Sequence, residues 1–551
     1  MESADELRLI PLGGLGEFGL NAMVLEWQQD LLLLDAGVLF PSAEMPGVDS
    51  IVPDFEYLRG RGQKLHGIVL THGHEDHIGA LSFALAAAPA PVYGSRLTLG
   101  FARKRLLERG VDADLVQLDP GVAMTVGPFR LHPIRVAHSV LDSLAIAIET
   151  PAGVVLTSGD FKIDPGAPPE LRTDTAALGE WGRRGVRVLL SDSTNVEASG
   201  YTGSESDVEP AFREVLDKTR GRVLVSCFAT SIPRIQKVAD LAREAGRRIG
   251  FLGRRMIDNS EVASELGLLD IPASARVAAT EAHSRERTLL FVSGSQGEPF
   301  SALAMIARDE QRDVAVGPGD TVVLSARAIP GNERVVSRLI SNLYRRGCDV
   351  VHSGTAKVHV SGHGSREDLI ELLRLVRPQY LVPIHGEYRM LKQHAQLAAR
   401  EGLIEADRVL VAEDGDVLAF SEAGARKEAH VVAGRVMLDR SGSGEVEDVV
   451  LRDRRQISAD GFVVPVIVFD RETGRASAEP EIVTRGFVDQ AESAELMDEA
   501  GRILVEAVES RTFEERVDPA RTRERVCLEL RRFFKRRTQR RPIVIPVVME
   551  V

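Results

Sequence analysis

The first 200 residues alternate short β-branched or leucine-rich runs with stretches of helical period. The runs Ala22–Glu26, Leu31–Leu34, Gly67–Thr71, Val154–Thr157 and Val186–Leu190 read as strands, most followed at once by Asp, Ser or His. Such alternation predicts an α/β fold with sheets covered by helices. Polar residues arriving at strand ends sit on loops held by a rigid scaffold, where chemistry is commonly placed. A second α/β block opens near Thr202 with a helix over Asp207–Arg220, then strands over Arg222–Cys227, Leu289–Val292 and Thr321–Ser325. Beyond His363 come a helix over Glu367–Val376 and a strand over Tyr380–Ile384. Residues 431–455, which include Ser441-Gly442-Ser443-Gly444, lose the pattern and read as a linker. A last block holds strand Phe462–Phe469, helices Glu492–Ser510 and Pro519–Arg536, and strand Ile543–Val551. Asp518 marks the start of its second helix, because Asp caps and Pro tolerates the first helical position.

Composition narrows the class. With 551 residues the chain is too long for one ordinary domain. Its 68 Lys+Arg against 81 Asp+Glu argue against coating nucleic acid by bulk charge, though not against a local basic groove. Cys227, Cys348 and Cys527 are too few and too scattered for a disulfide framework or a thiolate metal knot. The acidic N-terminus lacks the features of a signal peptide, and no apolar run is long enough to span a membrane, so a cytoplasmic protein is expected.

The strongest chemical signal is Thr71-His72-Gly73-His74-Glu75-Asp76-His77, directly after a predicted strand. Three imidazoles and two carboxylates within six residues form a donor set suited to Zn²⁺ or a neighbouring first-row ion. Further donors follow strand ends at His138, Asp160 and His385. A carboxylate such as Asp160 can bridge two cations, its two oxygens reaching both while its charge offsets their repulsion.

These residues resemble the metallo-β-lactamase superfamily, with its HxHxDH signature, a distant His, a bridging Asp and a last His. The resemblance implies an αββα sandwich, one metal on His72, His74 and His138, a second on Asp76, His77 and His385, and Asp160 between them. Asp35 matches an early Asp that holds the ligand loop without being a ligand. The 225 positions between Asp160 and His385 leave room for an inserted α/β block. That is the arrangement of the β-CASP nucleases, in which Asp192, His363 and His385 match the further motifs. Several stretches are similar to the bacterial ribonuclease J family: Pro11–Glu17, Ser293–Pro299, Ile329–Glu333, His359–His363, Pro383–Glu387 and Arg540–Pro542. The segment Phe228–Arg234 departs from that pattern at Thr230 and Pro233, and Leu20-Asn21-Ala22 also differs.

The resemblance implies a metallo-β-lactamase domain over 1–205 and 363–430, a β-CASP domain over 206–362 and, after the linker, a small C-terminal α/β domain over 456–551. It implies two divalent cations per subunit, Zn²⁺ foremost with Mn²⁺ or Mg²⁺ as alternatives. The expected activity is 5′-to-3′ exonucleolytic, with endonucleolytic cutting as well, in RNA decay and rRNA and mRNA maturation. Asp76, Asp192 and His363 are the catalytic candidates, His363 as general acid with Asp192 orienting it. His359, Val360, Ser361, Gly362 and His363 are expected to contact substrate phosphate, favouring single-stranded RNA with a 5′-monophosphate. Asp49 and Glu445 resemble positions that hold a structural Ca²⁺. A homodimer or homotetramer through the C-terminal domain is expected, and an RNA-decay assembly is a further partner. The arginines of Pro519–Arg536 and its tail read either as an RNA-attracting surface or as a solvated or subunit-contact face. A thioester or lactam hydrolase and an inactive scaffold subunit are the competing readings; the long insertion weighs against the first, the intact ligand positions against the second.

Overall fold

A computed structural model describes residues 6–42, 44–59, 64–281, 287–329, 331–439, 445–470, 472–473, 475–489, 493–510 and 519–551. Ser441–Gly444, Pro330, Glu492 and Asp518, each part of an element or motif named above, lie outside the described residues. The chain divides into two compact units, Met1–Phe40 with Ile51–Val436, and Pro41–Ser50 with Met437–Val551.

In the larger unit, two sheets share one core. The eight-stranded sheet includes Leu7–Gly13, Ala22–Trp27, Asp30–Leu34 and Lys64–Val69; the six-stranded sheet includes Phe129–Arg135, Leu144–Thr150, Gly153–Thr157, Val188–Asp192 and Tyr380–Ile384. Alternation along each strand decides what faces what. Leu144, Ile146 and Ile148 meet Leu9, Leu25 and Leu32 of the other sheet, whereas Ala145 and Ala147 turn outward. That outer face is covered by helices Thr175–Arg184, Arg366–Val376 and Tyr388–Arg400 through Leu178, Trp181, Leu369, Leu373 and Leu397. Both faces being dry, the strands read as continuous apolar runs, as the sequence showed. The other sheet carries helix Arg96–Glu108, so the layers form the αββα sandwich that the resemblance implied.

The inserted residues form their own sheet. Five parallel strands lie in the order Arg248–Leu252, Thr288–Val292, Val223–Ser226, Thr321–Leu324 and Asp349–His352. The strand order reverses beside Val223–Ser226, and a crevice of this kind opens beyond the carboxyl ends of the strands. Phe228, just past that end, has its ring 6.2 Å from that of His74. The helix expected over Asp207–Arg220 is a 3₁₀ turn, Glu205–Val208, followed by a helix over Glu209–Lys218. Pro210 explains the break, since it lacks the N–H that a continuing helix would need. Pro233, where the family pattern has another residue, falls in the first turn of helix Ile232–Glu244, where no N–H is required.

The smaller unit packs helices Ala494–Glu509 and Pro519–Thr538 on one face of a sheet centred on Phe462–Phe469. Val526, Leu530, Phe533 and Phe534 are buried there, as their spacing predicted. The last strand is two pieces, Ile543–Val544 and Val547–Glu550, because Pro546 cannot donate to the ladder. Most arginines of the second helix are exposed; Arg532 pairs with Glu529 and Arg537 with Glu499. Residues 431–455 are not simply a linker: they contain strand Arg435–Leu438 and the start of helix Asp448–Asp460. Only Leu451 of that helix is buried, so it has no apolar stripe to betray it. Among the described residues no helix is long and apolar enough to cross a membrane.

Candidate metal centre

The loop 71–77 leaves strand Lys64–Val69 and enters a single helical turn, Glu75–Ile78. Its shape is imposed by the segment 20–38. Backbone N–H groups of Asn21, Ala36 and Val38 donate to the carbonyls of Asp76, His77 and Glu75 at 3.1, 2.7 and 3.0 Å. Asp35, in the left-handed region at φ 59°, accepts the Thr71 N–H at 2.8 Å and holds His77 Nδ1 at 2.9 Å. With Nδ1 so engaged, Nε2 of His77 is turned to the ligand side. The approach is close enough to forbid a side chain at Gly37, where a Cβ would fall 1.6 Å from the Asp76 carbonyl oxygen. Gly37→Ala is therefore expected to cost about 3 kcal/mol or more by overpacking and to lower ion content, read by thermal melting and elemental analysis of the same preparation.

The seven positions expected to bind metal converge. His72 Nε2 lies 3.0 Å from His74 Nδ1, and His138 Nε2 lies 3.2 Å from the same atom. Asp160 Oδ2 stands 3.4 Å from His72 Nε2, 3.4 Å from His77 Nε2, and 3.8 Å from each of His138 Nε2, His385 Nε2 and His363 Nδ1. His385 Nε2 is also 3.3 Å from Asp76 Oδ2. Three overlapping donor groups result: His72, His74, His138 and Asp160; Asp76, His77 and His385; and Asp160, Asp192, His363 and His385.

The residues fit divalent ions. Asp160 is 2 % exposed, and its Oδ2 accepts no hydrogen bond although it is ringed by imidazoles. A buried carboxylate oxygen left in this state is costly unless a cation completes it. The ring nitrogens are prepared by their other ends: His138 Nδ1 donates to the Gly362 carbonyl at 2.8 Å, and His385 Nδ1 meets the Thr194 hydroxyl. Each bond leaves Nε2 facing the cluster. Asp49 and Glu445 belong to none of the donor groups among the described residues.

Electrostatics follow from burial and crowding. Burial pushes His72 and His138 well below the usual imidazole range and His74 down to about 4. For His77 and His385 burial acts in the same direction but is outweighed, foremost by Asp160, so His77 rises and His385 reaches about 9. Burial disfavours ionised Asp160, yet His385, His77 and His72 together hold it well below the carboxylate range. An ion taken up by Asp76, His77 and His385 would displace the His77 and His385 protons, so its affinity would fall on acidification. Loading is expected to weaken about tenfold per pH unit for each proton displaced, measured by calorimetry in buffers of different ionisation enthalpy.

Within the third donor group, His363 Nδ1 lies 2.9 Å from Asp192 Oδ2. Burial disfavours the imidazolium, but Asp192 and Asp160 prevail and raise its pKa. The stretch 359–363 approaches closely, a Cβ on Gly362 falling 2.7 Å from the His138 ring. His359, in the same stretch, faces the Arg234 guanidinium at 3.3 Å. Asn21 and Thr194 buttress His77 and His385, roles that the sequence alone does not signal. Thr194 lies two positions beyond Asp192, and Asn21 lies in the segment that departs from the family pattern.

An αββα sandwich with this donor set at its strand ends, and a parallel α/β module inserted before the last His, defines a β-CASP-type metallo-hydrolase. The comparisons agree. Residues 15–194 match the metallo-beta-lactamase superfamily, 220–343 the ribonuclease J beta-CASP domain, 350–409 the Zn-dependent metallo-hydrolase RNA specificity domain, and 449–551 the ribonuclease J C-terminal domain. The chain is 36 % identical to ribonuclease J 1 of Streptococcus pyogenes serotype M3, covering 99 % of this chain and 98 % of that one. It is 34 % identical to ribonuclease J2 of Bacillus subtilis over the whole of both chains. A crystal structure of a protein of unknown function from Enterococcus faecalis V583 shares the fold, at TM-score 0.52 and 15 % identity over 75 % of this chain and 100 % of that one. The chain belongs to the ribonuclease J family, and is a metal-dependent hydrolytic ribonuclease that binds RNA.

Proposed function

We propose that this ribonuclease holds two divalent cations, zinc foremost, and removes nucleotides from the 5′-monophosphate end of single-stranded RNA, with internal cutting as a second activity. The observation that carries the reading is Asp160 Oδ2, buried, without a hydrogen bond and within 3.8 Å of five imidazole nitrogens. His72, His74 and His138 would hold one ion, Asp76, His77 and His385 the other, with Asp160 shared. Bound there, such ions supply Lewis acidity to water and to the phosphoryl oxygens. The protein's own part concerns the leaving group. A ribose 3′-oxygen departs poorly unless protonated, and His363 is placed to protonate it. Asp192 occupies Nδ1, so the proton is delivered from Nε2, and the ion pair keeps the ring charged until it is needed. The backbone of Ser361 and Gly362 offers N–H donors to a phosphate, while the Gly362 carbonyl is spent on His138.

In this reading residues 1–205 and 363–430 are the hydrolase, 206–362 the module over the site and 456–551 the region through which copies associate. The protein acts in the cytoplasm in RNA decay and maturation. Asp49 and Glu445 as a calcium pair belong to the same proposal. One RNA carrying either a 5′-monophosphate or a 5′-triphosphate tests the activity. Mononucleotides released faster from the monophosphate form are expected; equal rates, or internal fragments alone, would overturn the end preference.

A further inference from the structure

We propose that Arg234 is a positioning residue for proton delivery by His363, tying together the two chain crossings between the hydrolase and the inserted sheet. The inference rests on the reading of His363 given above. Helix Ile232–Glu244 buries Ile232, Ile235, Val238, Ala239, Leu241 and Ala242, so a cation on that face is an exception. Arg234 is 2 % exposed and among the largest fully buried side chains. A guanidinium withdrawn from water is tolerated only where its fork is fully met.

Its partners lie at the borders of the insertion. Nε and Nη2 donate to the two carboxylate oxygens of Glu205, both at 2.7 Å, on the segment leaving the hydrolase. Nη2 also donates to the Val360 carbonyl at 3.2 Å, on the segment returning to it. Nη1 donates to the Ser325 hydroxyl at 2.9 Å, and that hydroxyl in turn donates to the Val358 carbonyl at 2.6 Å. On the hydrolase side Lys162, two positions beyond Asp160, donates to the Gly203 carbonyl at 3.0 Å and stands 3.9 Å from Glu205.

The consequence falls on the stretch between Val358 and Gly364. Arg234 and Ser325 grip it at one end. At the other, the Gly364 N–H donates to the Phe161 carbonyl at 2.6 Å. His363 sits between the two grips, its ring against Asp192. Asp35, Asn21 and Thr194 brace His77 and His385 independently of this fork. Loss of Arg234 therefore slackens the proton donor while His77 and His385 keep their braces. His138, whose Nδ1 is held by the Gly362 carbonyl of the same stretch, keeps His72, His74 and Asp160 about its Nε2. A displacement of about 1 Å at a reacting group can cost 10²-fold.

The test compares two substrates of the metal-loaded protein. A 5′-monophosphate RNA needs a protonated leaving group, whereas a nitrophenyl phosphodiester does not. For Arg234→Met the ratio of RNA turnover to nitrophenyl-ester turnover is expected to fall about 100-fold, with the loss in kcat and ion content near two per chain. Arg234→Lys, which keeps the charge but not the fork, should lose most of that ratio as well. Should Arg234→Met fail to fold, Glu205→Gln, which keeps the shape and removes the charge, is read in the same way. The two turnovers falling together, an unchanged ratio, or a loss confined to KM would each overturn the proposal. Wild-type protein that hydrolyses the nitrophenyl ester but no RNA would instead overturn the reading of the site, and the role of Arg234 with it.

Discussion

Asp160→Asn is expected to leave a folded protein with fewer than two ions and RNA hydrolysis reduced by at least about 10³-fold. The substitution is isosteric and removes a single charge. That charge belongs to two of the three donor groups and faces five imidazoles, among them His77 and His385 of the group it does not join. Without it two cations would face one another with no shared counter-charge, so at least one is lost. Elemental analysis beside a single-turnover assay checks both halves. Two retained ions with full activity would remove Asp160 from the centre of the mechanism.

His363→Ala is expected to lower RNA turnover about 10²- to 10⁴-fold while ion content stays near that of the wild type. The two variants differ in what they remove. His363 belongs only to the third donor group, whose other members are Asp160, Asp192 and His385, and its nearest charged partner is Asp192. The ions should therefore remain and proton delivery fail. Loss of metal in His363→Ala would show that its imidazole is a ligand and not an acid.

The centre was legible in the sequence wherever its residues are neighbours in the chain or stand alone at a strand end. His72, His74, Asp76 and His77 fall in one loop, and His138, Asp160 and His385 each follow an apolar run. The structure brings all seven together. Of the braces, Asp35 is legible through the family pattern, but Asn21 and Thr194 are not. Asn21 is 56 positions from His77 and Thr194 is 191 from His385, and an Asn or a Thr carries no signal of its own in a sequence. Arg234 was hidden for the opposite reason: nothing in an arginine near a helix start says that its fork will be buried. The strands covered on both faces are plain in the sequence, whereas helix Asp448–Asp460, with one buried side chain, falls largely within the residues that read as a linker.

The inserted module also bears on how the chain reaches this state. Strands Val188–Asp192 and Tyr380–Ile384 are parallel neighbours in one sheet, although residues 193–379 lie between them. Pairing them from an unfolded chain would mean closing that whole loop against its entropy. Once the module has formed, the Arg234 side chain reaches both Glu205 and Val360, and the loop is in effect a short one. An insertion that folds before the sheet closes would lower that entropic barrier, and His385, which follows the strand closing the loop, would reach the other donors only once that pairing is made.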